Sequence, residues 1–138
     1  MALRSRDRQK GQAALEGALV TLVFLATLIG IFDLGQVLFV RQTFTARVRS
    51  AARYAVVNTY DAAAIRNMVL YGQPTAGSGS GVFGLTAGMV QVSQVDPKTS
   101  AARIVVTISN YPYRLFSPWI GRAFTGRPIT ASFPIELP

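Results

Sequence analysis

The chain of 138 residues contains neither cysteine nor histidine. Their absence excludes disulfides, thiolate or imidazole metal ligands, Ser-His-Asp triads and Cys-His dyads within this chain. We therefore expect no metal and no cofactor. The acids Glu16 and Asp33 are seventeen residues apart on one predicted helix, on different faces and about 25 Å apart, which excludes paired acid–base chemistry. Neither Lys10 nor Lys98 has the desolvated setting that a Ser-Lys dyad requires. The sequence predicts that the protein is not an enzyme.

Charged residues are also scarce, at 14%, whereas half of all residues are hydrophobic. This combination indicates a membrane protein. The formal net charge is +8, but the arginines flank an apolar segment and no recognition motif accompanies them. We therefore expect no nucleic-acid partner.

The apolar segment covers residues 17–40 and holds one charged residue in twenty-four. As a helix it is about 36 Å long, enough to cross a hydrocarbon core. We interpret the segment as a membrane-spanning helix. Two alternative interpretations are a buried core helix and a cleaved secretory signal. A core helix of this length normally shows a polar stripe, and a secretory signal has a shorter apolar region and a small-x-small cleavage site. Basic residues on both sides leave the orientation undecided.

The helix is predicted to continue beyond the apolar segment, from about residue 12 to about residue 58. Residues 41–57 contain neither proline nor glycine, and small or apolar residues recur there at helical spacing. This stripe can pack on a globular domain; it consists of Phe44, Val48, Ala51, Ala52 and Ala55.

A second, shorter helix is predicted over residues 61–71, with Asp61 as its N-cap and Gly72 just past its end. A Gly/Ser-rich stretch follows, in which Gly79, Gly81 and Gly84 have the spacing of a phosphate-binding loop. Because no strand precedes it and no helix pattern follows it, we interpret the stretch as a flexible linker.

The last third of the chain is predicted to form β-strands, at residues 89–95, 102–111 and near the C-terminus from residue 129. Turn residues at 96–99 predict an antiparallel hairpin between the first two strands. The aromatic- and proline-rich connection is expected to cross over the sheet, with Trp119 and Phe124 buried. Three strands and the amphipathic helix would make a minimal α+β domain.

Glu16 stands at the edge of the apolar segment, where a carboxylate is costly enough to suggest a function. If a peptidase cuts after Gly11, Gln12 gains an α-ammonium group about 6 Å from Glu16 along the helix axis. The two charges can then neutralise each other, within one subunit or between neighbours. The alternative, that Glu16 lies among lipid headgroups within reach of Arg8 or Lys10, stays open.

Asp33 is the second acid of the apolar segment, near its far end. It can extend outward to the membrane interface or pair with Arg41. We favour a position at the surface.

The N-terminal part of the sequence has basic residues followed by Gly11, a small or apolar tetrapeptide, Glu16 and a hydrophobic helix. This order resembles the class III signal of type IV pilins and pseudopilins. In that family a membrane aspartyl prepilin peptidase cuts after the glycine. One departure is Gly17, where the signal usually has an aromatic residue. The resemblance to TadE-like minor pseudopilins of the tight-adherence (Flp pilus) system extends over nearly the whole chain, through GIFDLGQVLFVRQ, ARVRSAARYAVV, DAAAIRNMVLYG, VTISNYPYRLFSPWIGRAF and TASFPIEL.

This resemblance implies a single-pass protein of the bacterial inner membrane with a pilin-like, lollipop-shaped α+β fold. Residues 1–11 would be a cytoplasmic leader, residues 12–40 the transmembrane helix, and residues 41–138 a periplasmic domain that includes the outer half of the helix. The implied role is a minor subunit in pilus assembly or initiation. Its partners would be other pilins or pseudopilins, the assembly platform, the prepilin peptidase and the membrane. Whether the subunit enters the fibre stays open.

The alternative function is that of an uncleaved, signal-anchored binding module outside the cytoplasm. Its ligand would be recognised by an aromatic segment containing Tyr111, Tyr113, Phe116 and Trp119. Aromatic residues in such segments more often belong to a core than to a binding surface.

Overall fold

The computed structural model describes residues 3–97, 99, 101–117 and 123–135, with side chains from residue 11 onward. It confirms the predicted α+β class, with a long apolar N-terminal helix followed by a short helix and an antiparallel sheet. The described residues form two compact units, residues 3–36 with 115–117 and residues 37–114 with 123–135. In chain order the elements are α1 (Leu3–Val57), α2 (Ala62–Tyr71), two 3-10 helices (Val82–Gly84 and Ala87–Met89), β1 (Val90–Val95), β2 (Arg103–Ile108), β3 (Pro112–Arg114), β4 (Ala123–Thr125) and β5 (Ile129–Pro134).

Helix α1 begins at Leu3, nine residues before the expected start. The leader residues are mostly good helix formers and include no proline, so nothing in them prevents the helix from extending. Its end at Val57 agrees with the predicted end within the usual uncertainty of a helix boundary. Within it, Gly11–Val57 is long and apolar enough to cross a membrane, and none of its most apolar window is buried. This is consistent with a single-pass membrane anchor.

The predicted stripe on the later part of α1 forms one side of the hydrophobic core. All five stripe residues are buried, and Phe44 and Val48 are completely inaccessible to solvent. Most of the other core side chains come from α2, the β-strands and the loop between them; among them are Ile65, Val69, Leu85, Ile104 and Val106.

Helix α2 has both of its predicted caps. The Asp61 side chain accepts a hydrogen bond from the Ala63 amide at 2.8 Å. At the other end Gly72 has a φ of 78°, and its N–H donates to the Met68 carbonyl. This left-handed conformation suits glycine. A Cβ at position 72 would also collide with the guanidinium of Arg47.

The main sheet has the order β1-β2-β5, with both pairings antiparallel. Val90 lies opposite Ile108, and Ile108 lies opposite Ile129. Alternate residues of β2 are buried, namely Ile104, Val106 and Ile108, which gives one apolar face toward the core. The predicted hairpin and C-terminal strand are confirmed.

The connection between β2 and β5 differs from the prediction, because it contains a second, two-stranded antiparallel sheet of β3 and β4. Strands of three residues are too short to show alternation in a sequence. The expected burial of Phe124 is wrong, since this side chain is 43% exposed. Its ring stacks on Tyr113 at 5.3 Å, which leaves much of it uncovered. Trp119 lies outside the described residues.

Candidate functional site

The expected processing site and its glutamate lie on exposed turns of α1. Gln12 and Glu16, four residues apart, belong to one helix face. They line a shallow groove there together with Leu15, Leu19 and Val20. The structure therefore places Gln12, the residue after the expected cleavage site, and the Glu16 carboxylate on the same side of the helix.

Gly11 and Gly17 have open space around them, because an added Cβ at either position would meet no heavy atom within 4 Å. Within the described part of the chain, packing therefore does not require glycine at either position.

Asp33 is placed differently from the expectation. It is buried, with 4% of its surface exposed, so the surface position expected for it is wrong. Its Oδ1 accepts a hydrogen bond from the backbone N–H of Phe116 at 2.6 Å, and its Oδ2 accepts one from Ser117 at 2.9 Å. Hydrogen bonds to a charged acceptor are about twice as strong as neutral ones. Asp33 thus attaches a distant stretch of the chain to α1.

Two aromatic rings flank this attachment. The Phe32 and Phe116 rings meet edge to face, with centroids 5.9 Å apart at an angle of 84°. Both remain largely exposed, at 61% and 77%. We call Phe32, Asp33, Phe116 and Ser117 the Asp33 cluster.

Sequence reasoning missed the Asp33 cluster. The signal that could have found it is the cost of a carboxylate in an apolar helix, which calls for a partner. The partners are backbone N–H groups more than eighty residues later. Such groups leave no pattern of side chains in the sequence.

Neither tyrosine of the expected binding segment lies on an open surface, since Tyr113 belongs to the core and Tyr111 packs against it partly buried. Tyr113 is buried, and Tyr111 packs edge to face on Phe44 with ring centroids 4.7 Å apart. The Tyr111 hydroxyl donates a hydrogen bond to the Phe83 carbonyl at 2.8 Å. Of the four aromatic residues proposed for binding, Phe116 is exposed and Trp119 lies outside the described residues.

Burial raises the pKa of Tyr113 above its usual value, while the positive charge of Arg41 acts in the opposite direction. Burial also raises the pKa of Tyr111, with Tyr113 adding to the increase and Arg114 opposing it. Arg41 itself lies on an exposed face of α1, in a groove that it forms with Leu38, Gln42, Thr45, Ala46 and Arg49.

Among the described residues, no group of three or more acidic, histidine or cysteine side chains could hold a metal ion. The Gly/Ser-rich stretch joins α2 to a three-residue 3-10 helix, which is not the strand-and-helix context of a phosphate-binding loop. The Tyr71 hydroxyl donates a hydrogen bond to the Gly79 carbonyl and ties the stretch to α2.

Residues 11–53 match the family model described as TadE-like protein. This segment is TadE-like. The TadE-like segment begins at Gly11, lies entirely within α1 and includes Glu16, Asp33 and Arg41. The match confirms the expected resemblance to TadE-like proteins over this segment. No curated protein and no solved structure matches the chain.

Proposed function

We propose that this chain is a minor pseudopilin that acts in the assembly or initiation of a tight-adherence pilus. Residues 1–11 are its leader, and a prepilin peptidase cleaves between Gly11 and Gln12. The observation that carries the proposal is the TadE-like segment, because it begins at Gly11 and includes Glu16 and the apolar helix. The exposure of this junction supports access by a peptidase.

Cleavage would give Glu16 a charged partner. An α-amino group has a pKa of about 7.7–8.0 and is mostly protonated at neutral pH. On the helix the new ammonium lies about 6 Å along the axis from Glu16. Because Glu16 is exposed on α1, it can also meet the ammonium of a neighbouring subunit. In apolar surroundings an unpaired carboxylate is costly, so this pairing would favour one register between packed helices.

The proposed location follows from the same helix. The chain crosses the bacterial inner membrane once, with residues 1–11 in the cytoplasm and the α+β domain in the periplasm. Exposed apolar side chains such as Leu19, Leu22 and Leu25 are available to lipid or to the helices of other pilins. Arg41 lies beyond the outer end of the membrane-spanning segment, on the side of the periplasmic headgroups. The role is structural rather than catalytic.

The test uses Glu16→Gln, which removes the charge and keeps the shape, in a bacterium that assembles pili with this subunit. Val20→Ala is the matched control, since Val20 lines the same groove and is uncharged. We expect loss of surface fibres with Glu16→Gln and nearly normal fibres with Val20→Ala, at equal membrane levels of both variants.

Normal fibre numbers with Glu16→Gln would contradict the role of the carboxylate. If deletion of the whole chain also left fibres unchanged, the binding-module function would be favoured instead.

A further inference from the structure

The Asp33 cluster joins residues 116 and 117 to the apolar helix. We propose that this cluster lies at the outer interface of the lipid bilayer and that Phe116 inserts into lipid beside Phe32. The loop at residues 115–117 would then be a second membrane contact of the chain. The inference rests on the membrane anchoring that is part of the proposed function.

The depth of Asp33 in the bilayer follows from helix geometry. From Gly17, where the apolar segment begins, to Asp33 the helix has 17 residues and rises about 24 Å, most of the hydrocarbon thickness of about 30 Å. The expected span of residues 12–40 would be about 43 Å long and would exceed it. It would also place the loop backbone beside Asp33 within the hydrocarbon, where irregular backbone exposed to lipid does not occur. Asp33 therefore lies near the outer boundary of the hydrocarbon.

The polar groups of the loop also fit this position. A loop at the membrane surface must satisfy its backbone N–H groups, since an unsatisfied N–H in an apolar environment is costly. Asp33 accepts hydrogen bonds from the two N–H groups at Phe116 and Ser117. The same contacts remove the carboxylate from contact with lipid, because only 4% of Asp33 is exposed. The two hydrogen bonds thus satisfy both the carboxylate and the backbone N–H groups of the loop.

The exposed surface of the Asp33 cluster is apolar. The Phe32 and Phe116 rings carry no polar atoms, and they continue the exposed apolar surface of α1 that includes Leu28 and Ile31. Apolar side chains such as Phe insert into the boundary between headgroups and acyl chains in interfacial segments. Because this surface is continuous with that of the membrane helix, lipid is the partner that fits it.

The chain lacks cysteine, so single cysteines can carry a nitroxide label in the full-length protein. We would label Phe116→Cys in vesicles of phosphatidylethanolamine and phosphatidylglycerol, and compare collisions with oxygen and with a water-soluble nickel chelate. Leu22→Cys is the lipid reference, and Val57→Cys, at the exposed end of α1, is the aqueous reference. We expect position 116 to favour oxygen, at a shallower depth than position 22.

Three results would overturn the inference or its basis. Nickel accessibility at position 116 equal to that at position 57, with position 22 in lipid, would refute the lipid contact and leave the anchoring intact. Low accessibility to both reagents at position 116 would mean that a second protein copy covers it, which also refutes the lipid contact. Water at position 22 would refute the anchoring itself, and with it the location in the proposed function.

A second variant tests whether Asp33 holds the loop. Asp33→Asn puts an amide NH₂ where one of the two oxygens accepts a backbone N–H. We expect the label at position 116 to become more mobile and to move toward water. Asp61→Asn is the matched control, because Asn also serves as an N-cap and should leave the label unchanged. Unchanged mobility and depth in Asp33→Asn would contradict a positioning role for Asp33.

Discussion

Replacement of Phe44 by alanine tests whether the later part of α1 belongs to the hydrophobic core. Phe44 is completely buried. Its ring packs edge to face on Tyr111 at 4.7 Å and on Phe83 at 6.1 Å. The substitution would leave a cavity and remove both ring contacts.

Truncation of a buried phenylalanine to alanine costs about 3–5 kcal/mol, a large part of the roughly 5–15 kcal/mol that stabilises a typical domain. The control is Phe39→Ala on the same helix, where the ring is 61% exposed and, among the ring contacts of the described residues, has one partner, Phe83. We expect that control to cost less than about 1 kcal/mol.

The assay is urea unfolding of the detergent-solubilised chain, followed by near-ultraviolet circular dichroism, which reports the packing of the aromatic rings. With a urea dependence of about 2 kcal/mol per molar, Phe44→Ala should lower the midpoint by about 2 M. Equal and small shifts for Phe44→Ala and Phe39→Ala would refute the packing of the stripe in the core.

Three further predictions concern the caps of α2 and the buried Tyr113. Asp61→Ala should lower the free energy of unfolding by about 1 kcal/mol, whereas Asp61→Asn should nearly retain it, since Asn also caps helices. Gly72→Ala should destabilise the domain more than Gly84→Ala does in the same denaturation assay; both glycines have positive φ, but only at position 72 would the new Cβ meet Arg47. Because the pKa of Tyr113 is raised by burial, its contribution to stability should be complete below pH of about 10 and decrease as the pH rises through the folded-state pKa. Tyr113→Phe should reduce that alkaline decrease, and equal decreases in both proteins would contradict it.

The features that the sequence predicted correctly depend on neighbouring residues. The α1 stripe follows from helical spacing, and both caps of α2 follow from Asp61 and Gly72. The hairpin of β1 and β2 follows from alternating apolar residues around a turn. In each case the residues that determine the structure lie in the element itself or next to it in the sequence.

The features that were missed depend on distant residues or on strands too short to show a pattern. The β3–β4 pair has three residues per strand, and its central residues Tyr113 and Phe124 face each other across a long connection. The Asp33 carboxylate accepts hydrogen bonds from the backbone N–H groups of Phe116 and Ser117, so no complementary side chain indicates this contact in the sequence. The exposure of Phe124 could not be predicted from its type, because an aromatic ring can stack on one side and remain open elsewhere.

The proposed processing of the N-terminus would depend on a protein outside this chain, and the fold of the chain alone does not determine it. Gly11 and Gly17 offer a matched pair, because both are in α1 and both have open space for a larger side chain. Valine at either position should leave the packing of the chain intact. Only the change at Gly11 should affect cleavage.

The most direct test of the account is the intact mass of the chain extracted from membranes of a host that has the cognate prepilin peptidase. We predict a mature protein that begins at Gln12 in the unaltered chain and in Gly17→Val. We predict that Gly11→Val retains residues 1–11. An unaltered chain that still carries residues 1–11 in the presence of the active peptidase would contradict the pseudopilin function proposed here.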